Sequence, residues 1–425
     1  MHVAIIGNGI TGVSAAIRIR QLKPDWKITM VSGESDYHYS RPALMYIFMG
    51  HMRYEDTKPY ENHFWKKNSI DLLRDWVTEI DTQNKQLKLH KKGTLGFDKL
   101  LVAAGSKSNK FGWPGQDLDG VQGLYDLLDL KLLYENCKGA KNAVIVGGGL
   151  IGIEFAEMLH SRNIHVTFLV REQSYWNNVL PKEESEMINK IIIKEGMELQ
   201  LETELREIVD NGSGRVKGVV TNKDEFIECE IVGLTAGVSS NIDLVKNSSI
   251  KTGRGILVDF GFRTNVNDIY AAGDCAEIVA EGGGRNMIQQ VWYTGKMQGK
   301  AAGETICGLD SKYDPGIWYN SAKFLDLEYQ TYGFILSAPQ EGEDHLYWEH
   351  ENNLHAIRIV SRGGYVTGIN VMGIRYKHKV CESWIKEKKS LEYVLDNMKD
   401  ANFDPEFYVK FETEIIKKFK KELAA

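Results

Sequence analysis

The sequence predicts an α/β chain with two separate parallel βαβ units and a strand-rich C-terminal region. Three observations carry this. A short β-branched run leads into glycines at G-x-G-x-x-G spacing twice, at Gly7, Gly9 and Gly12 and again at Gly147, Gly149 and Gly152. Each glycine set opens a stretch of helical period and then a second apolar strand, the order a βαβ unit requires. From about residue 313 the composition turns to aromatics and strands, as in WYNSAKFLDLEYQTYGFIL, LYWEH, NLHAIRIV and YVTGINVMG.

The totals fit that class. At 425 residues the chain exceeds one ordinary core, so two or three domains are expected. Many of the 41 glycines fall at turns between β-branched runs. Charged residues at 26% and hydrophobic ones at 43% are ordinary for a soluble globular protein. The net charge of −6 argues against a general nucleic-acid surface. The five cysteines (Cys137, Cys229, Cys275, Cys307 and Cys381) include no C-x-x-C pair. An odd count without pattern suits reduced thiols, not a disulfide framework or a zinc site. Val3–Ile6 is apolar but lacks a charged n-region and a cleavage site, so it reads as a strand and not a leader. No apolar segment reaches bilayer-spanning length. A cytoplasmic protein is the expectation.

The first unit is MHVAIIGNGITGVSAAIRIRQLKPDWKITMV. Val3–Ile6 is its first strand. The first glycine of the fingerprint permits a tight turn, the second offers bare backbone to a pyrophosphate, and the third lets helix and strand pack closely. Val13, Ala16, Ile17 and Arg20 lie in the helix, Pro24 ends it, and Lys27–Val31 is the second strand. Such a unit of about 30 residues binds a dinucleotide, with the phosphates at the helix N-terminus. An acid should follow the second strand to hold the adenosine ribose. Ser32 stands first and Glu34 is the nearest acid, so Glu34 is assigned to the ribose; its plainer reading is a solvated loop acid.

Residues 60–95 alternate short apolar and polar stretches, as small strands and a hairpin do. The second unit is Asn142–Thr167, NAVIVGGGLIGIEFAEMLHSRNIHVT, with helical period after Gly152 at Ile153, Ala156 and Met158–Leu159. A carboxylate ending the strand His165–Val170 would accept from the ribose hydroxyls and select NADH. Val170 stands there instead, followed by Arg171 and Glu172. An arginine there can pair with a 2′-phosphate. Gly152 is more usual in NADH fingerprints, and Glu172 can still reach a ribose. The donor is therefore NAD(P)H, with a lean to NADPH.

Residues 196–235 read as a small antiparallel sheet with a turn at Asp210–Gly214. Gln289–Gly303 reads as a helix with small residues on one face for close packing. In the tail, Asp404 and Pro405 suit an N-cap and first turn. Phe407, Phe411, Ile415 and Phe419 then recur at four-residue spacing among Lys417, Lys418, Lys420 and Lys421. A basic amphipathic helix can lie on a membrane. More often it packs on its own domain or a partner subunit, a second copy of the chain included, and that is the expectation here.

Several segments resemble the pyridine nucleotide–disulfide oxidoreductase superfamily. Tyr39-Ser40-Arg41-Pro42-Ala43-Leu44 is similar to the Y-x-R-P-x-L loop of its rubredoxin-, ferredoxin- and nitrite-reductase-like branches. Asp98–Gly105, DKLLVAAG, is similar to its D-x-L-x-x-A-T/A-G segment, and Thr235-Ala236-Gly237 to the second such segment. Thr264–Asp274 resembles T-x-x-x-x-I-Y-A-x-G-D. The resemblance implies two Rossmann-like domains, for FAD and NAD(P), one inserted in the other, plus a C-terminal α+β domain. The implied spans are 1–112 and 241–312 for FAD, 113–240 for NAD(P)H and 313–425 for an interface domain, with Trp113-Pro114-Gly115 as linker.

The resemblance also implies residue roles. Arg41 lies over the flavin pyrophosphate, and Ala104, Gly105 and Gly237 are cofactor-binding. Gly273 allows a close turn and Asp274 accepts from a ribityl hydroxyl. Glu154 lies near the nicotinamide ring, and Trp292 neighbours the flavin. Plainer readings stand beside these: a surface arginine, a helix-capping aspartate, a first-turn acid suited to the helix dipole, a core tryptophan.

Residues 32–60 contain no cysteine. Disulfide-reducing relatives place a redox cysteine in or just after the Arg41 loop, and no other side chain replaces a thiolate there. The CoA-disulfide-reductase, peroxidase and water-forming oxidase mechanisms are therefore disfavoured. The implied activity is an FAD-dependent NAD(P)H oxidoreductase, with hydride passing from nicotinamide to flavin and electrons then to an acceptor. A small redox carrier protein is the first choice of acceptor. A quinone or dioxygen is the alternative, and a flavin-based nicotinamide sensor with slow turnover is a third reading.

Overall fold

A computed structural model describes residues 1–403, 406 and 409–424. The chain divides into two compact units. The first comprises Met1–Lys110, Gln122–Lys138 and Gly237–Pro315, and the second Phe111–Val121, Gly139–Ala236 and Gly316–Ala425. Asp404, Pro405 and Phe407 of the predicted tail helix lie outside the described residues.

In the first unit, five parallel strands run in the order Ile269–Ala271, Lys99–Val102, His2–Ile6, Lys27–Ser32, Ile70–Arg74. Val3, Ala4 and Ile5 are fully buried at its centre. A parallel strand covered on both faces needs such a continuous apolar run. Gly7 N donates to Val31 O at 2.8 Å, so the first glycine turn leaves the sheet at its carboxyl edge.

The small-residue helix runs over Trp292–Ile306, starting later than its sequence suggests. It packs along the helix Ile10–Leu22, and its glycines are the reason it can. A Cβ on Gly299 would lie 2.2 Å from Thr11 O, and one on Gly303 would lie 3.0 Å from Ala15 O.

Residues 60–95 hold more than strands. Asn62–Lys67 is a helix whose Trp65 is buried, and Ile70–Arg74 joins the parallel sheet. Beyond it, Val77–Asp81, Gln86–Leu89 and Thr94–Gly96 form the expected antiparallel hairpin with one added strand. Gln122–Lys138, expected in the insert, packs with the first unit. Asp126 caps its helix Leu127–Asn136 by accepting from Leu128 N and Asp129 N at 2.8 and 3.0 Å. Phe48 and Tyr134 stack at 4.8 Å and fasten that helix to Leu44–Phe48.

In the second unit, four parallel strands run in the order Glu198–Leu201, His165–Val170, Asn142–Val146, Ile231–Leu234. The antiparallel sheet expected over residues 196–235 is therefore confined to Leu205–Asp210, Val216–Thr221 and Phe226–Glu228. Ile231–Leu234 is buried throughout and pairs in parallel with Asn142–Val146.

The C-terminal region is an antiparallel sheet of five strands followed by helices. One sheet face carries Leu346, Trp348, Ile357, Ile359, Ile369 and Val371, clustered with residues of those helices. Ile415 and Phe419 of the tail helix Glu412–Leu423 are fully buried in that cluster. The tail's apolar stripe thus packs on its own domain. From the opposite face Arg358 reaches Glu184 of the helix Lys182–Lys194, with Nε–Oε1 at 2.7 Å and Nη2–Oε2 at 2.9 Å. Both side chains are buried. Among the described residues no helix is long and apolar enough to cross a membrane.

The two packed helices give a direct test. Gly299→Val should destabilise the first unit by about 1–3 kcal/mol, because the Thr11 carbonyl is backbone and gives little. Gly96→Ala, whose Cβ would meet nothing within 4 Å, should melt like the parent. Comparing the two variants by thermal unfolding checks this.

Candidate functional site

In the first unit the expected residues converge at the carboxyl ends of the parallel strands. Gly7 takes φ +102, and a Cβ there would lie 2.2 Å from Ala103 O. A Cβ on Gly12 would lie 2.1 Å from Gly7 O. Gly9 differs: φ is −68, and a Cβ would meet nothing within 4 Å. Thus Gly7 and Gly12 are required by packing, whereas Gly9 fronts open space. No side chain caps the helix Ile10–Leu22, so its first N–H groups are left for a ligand. Bare backbone beside an uncapped helix N-terminus is what a pyrophosphate needs, so these residues fit the dinucleotide end of FAD.

The Arg41 loop is held by charge. Arg41 Nη2 lies 2.8 Å from Glu34 Oε2, and Arg41 Nη1 donates to Tyr125 O at 2.7 Å. The guanidinium stacks over the Tyr125 ring at 4.5 Å. Glu34 is further engaged by the Tyr39 hydroxyl and by Leu127 N. Glu34, the acid expected at the ribose, here pairs with Arg41 and orients its guanidinium. Burial and its neighbours keep the Tyr39 hydroxyl protonated, and burial holds His38 down at about 4, so that ring is neutral. His38 Nδ1 bonds Asn8 O at 2.9 Å and ties this loop to the glycine turn.

Tyr125 is the residue that sequence reasoning missed. Its hydroxyl accepts from Ser106 N at 2.7 Å and donates to Asp274 Oδ2 at 3.3 Å. Ser106 Oγ donates to the same oxygen at 3.1 Å and accepts from Gln290 Nε2 at 2.8 Å. Gly105 takes φ +72, and a Cβ there would lie 2.6 Å from the Tyr125 oxygen. Ala104 O accepts from Asn241 Nδ2 at 3.4 Å, and Gly237 O accepts from Asn109 N at 3.1 Å. Gly273 takes φ +79, and its N–H donates to Gln298 at 2.8 Å. Burial raises the Asp274 carboxyl, and the hydroxyls of Ser106 and Tyr125 work against that rise. Tyr125 carries no signal in the sequence, because nothing local relates it to Gly105 or Asp274. Trp292 is the first residue of its helix, half-buried, with Lys296 Nζ 5.4 Å over the ring. That helix N-terminus also has no side-chain cap.

Cys275 adjoins Asp274 but is fully buried, and burial pushes its thiol up to about 11. Its sulfur donates to Val102 O and Ala272 O at 3.4 Å. Among the described residues no group of His, Cys, Asp and Glu could hold a metal ion.

The second unit repeats the glycine logic. Gly147 takes φ +120, and a Cβ there would lie 2.8 Å from Thr235 O. A Cβ on Gly152 would lie 2.9 Å from Gly147 O, and one on Gly149 would meet nothing within 4 Å. The helix Leu150–His160 has no side-chain cap. Arg171 and Glu172 pair at 2.9 Å, with the arginine side chain 71% exposed and the glutamate 25%. Glu154 lies past the first helical turn, so a dipole role does not account for it. Burial, with Glu157 adding to it, pushes its carboxyl up to about 7.

Each unit thus presents a glycine turn and an uncapped helix N-terminus that fit a dinucleotide. A family model described as pyridine nucleotide-disulphide oxidoreductase matches residues 1–299, and the chain belongs to that family. It is 30% identical over 340 residues to an NADH oxidase of Methanocaldococcus jannaschii, covering 77% of this chain and 75% of that one. It is 29% identical to the rubredoxin-NAD(+) reductase of Acinetobacter baylyi, covering 65% of this chain and 73% of that one. Among solved structures, the NAD-dependent persulfide reductase of A. fulgidus superposes with a TM-score of 0.84 at 23% identity, over 100% of this chain and 84% of that one. The protein is an FAD-dependent NAD(P)H oxidoreductase.

Two tests follow. Gly9→Val should fold and melt like the parent without cofactor, yet bind FAD about a hundredfold more weakly, from two charge-assisted hydrogen bonds at about 1.5 kcal/mol each. Calorimetric titration of the apoprotein measures this. Glu154 ionises at higher pH in the folded chain than the ordinary 4.5. The native state therefore binds its proton more tightly, and stability is lost as pH rises from that value to about 7. Glu154→Gln should melt with the parent at pH 4 and above it at pH 8, as a pH series of melting curves would read.

Proposed function

We propose that this chain takes hydride from NADPH in preference to NADH and hands electrons singly to a small redox carrier protein. The observation that carries the acceptor reading is the cysteine placement. The Arg41 loop has no cysteine, and the thiol beside Asp274 is buried and held protonated. A substrate disulfide or persulfide would need an accessible thiolate relay. Bound FAD supplies a two-electron store that can be emptied one electron at a time. The relative named for rubredoxin supports a carrier of that kind. The relative named NADH oxidase favours dioxygen as the second acceptor to test.

The residues divide the work. Gly7, Gly9 and Gly12 seat the FAD pyrophosphate, with Arg41 above it in the orientation set by Glu34. Asp274 accepts from the ribityl chain, oriented by Tyr125 and Ser106. The helix beginning at Trp292 offers its N–H groups to the flavin pyrimidine. Gly147, Gly149 and Gly152 seat the donor pyrophosphate. Glu154, whose carboxyl burial pushes up to about 7, is about half protonated at neutral pH and in that form can donate toward the nicotinamide amide. The exposed guanidinium of Arg171 supports the NADPH preference, since it can swing from Glu172 to a 2′-phosphate.

Anaerobic reduction of the purified protein with each donor, followed by reoxidation with rubredoxin, a [2Fe–2S] ferredoxin, a quinone and dioxygen, tests both halves. Fastest reoxidation by a carrier protein is the expected outcome. Slow reoxidation by every acceptor would favour the sensor reading instead. Arg171→Ala should raise the KM for NADPH about tenfold and that for NADH less than about twofold.

A further inference from the structure

We infer that Tyr175 and Trp176 are positioning residues that hold the donor's phosphate loop in shape and fasten it to the C-terminal sheet, given that Gly147–Gly152 seats the pyrophosphate as proposed above. Gly149 O opens the helix Leu150–His160 by accepting from Ile153 N at 3.2 Å. It also accepts the Tyr175 hydroxyl at 2.8 Å. That hydroxyl reaches the loop from the far side of the glycine turn. A Cβ on Gly152 would come within 3.0 Å of its oxygen.

Tyr175 is itself fixed at several points. It is fully buried, and its ring meets Phe168 edge-on at 5.4 Å. Its N–H donates to Asn189 Oδ1 at 2.9 Å, and its carbonyl accepts from Ser185 Oγ at 2.7 Å. Both partners belong to the helix Lys182–Lys194. Burial raises the hydroxyl's pKa, so it remains a donor across the working pH range.

Trp176 continues the bracket in the other direction. Its φ is +60, the left-handed region that bulky residues rarely enter. Such a conformation persists where the surroundings over-determine it. Here the indole lies 5.3 Å from the Phe324 ring and 5.8 Å from the Tyr329 ring, both on the C-terminal sheet. Its backbone nitrogen lies 3.6 Å from where a Cβ on Gly148 would stand. One dipeptide therefore bonds the glycine turn by the Tyr175 hydroxyl, lines it at Gly148, and packs on the C-terminal sheet by the Trp176 indole. A loop braced in this way need not be ordered when the donor arrives, which favours binding. The brace acts alike on ground and transition states, so its loss should raise KM and leave kcat unchanged.

Steady-state kinetics of the full-length, flavin-loaded protein with NADPH, NADH and ferricyanide as acceptor test this. Tyr175→Phe should raise the donor KM about fivefold to tenfold, the loss of one buried hydrogen bond, with kcat and flavin content unchanged. Trp176→Ala should give a similar rise, and Trp176→Phe should restore most of it. In the double variant Tyr175→Phe/Trp176→Ala the two effects should not add. Loss of melting-temperature protection by NADP⁺ should follow the same ranking without turnover. An unchanged KM in Tyr175→Phe, or full additivity in the double variant, overturns the inference. Gly149→Val separates this from the underlying reading. If it leaves donor binding intact, the pyrophosphate assignment fails. If it abolishes binding while Tyr175→Phe has no effect, the bracket alone fails.

Discussion

Everything in the two dinucleotide sites depends on backbone approaching backbone where side chains would ordinarily stand. Gly7 and Ala103, Gly12 and Gly7, Gly147 and Thr235 all meet closer than a Cβ could tolerate. That crowding aims each helix N-terminus at the carboxyl edge of its sheet, where the partial charges of unpaired N–H groups accumulate. The crowding is one-sided. Gly9 and Gly149 face open space, where no protein atom would meet a Cβ. Within one fingerprint, then, two glycines are held by packing and one is not.

The first site adds a charge arrangement that the glycines alone do not provide. Arg41 is not a loose surface cation. It is stacked on one tyrosine, bonded to a carbonyl and paired with Glu34. A cation so held gives up little conformational freedom when an anion is placed before it, and little of its field is lost to solvent. Tyr125 joins this arrangement to Asp274 directly and through Ser106. The Arg41 loop and the turn at Asp274 thus share one hydrogen-bonded frame.

Legibility in the sequence followed the range of the interactions. The glycine sets, the parallel strands beside them and the segment ending at Asp274 are local patterns, and their spacing carried them. The strands Ile70–Arg74 and Ile231–Leu234 were harder. Whether a short apolar run joins a parallel or an antiparallel sheet is decided by neighbours far along the chain. Tyr125, Tyr175 and His38 were not legible as site residues at all. Each acts through hydrogen bonds to residues brought near by folding, and tyrosine or histidine in a loop has many ordinary uses. Glu34 shows the same limit: its place after the second strand is legible, but its pairing with Arg41 and Leu127 N is made by folding.

The buried pair of Arg358 and Glu184 has a consequence for how this chain can be divided. The family model ends at residue 299, which invites the view that the last third is an appendage. Glu184 lies on the helix Lys182–Lys194 of the second unit and is nearly inaccessible, and its guanidinium partner comes from that last third. Removing one member of such a pair leaves a stranded charge and costs about 3–5 kcal/mol. The second unit's parallel sheet is therefore not modular in the usual sense. A lineage that shed or exchanged its C-terminal region would first have had to neutralise Glu184, so the two parts are bound to change together.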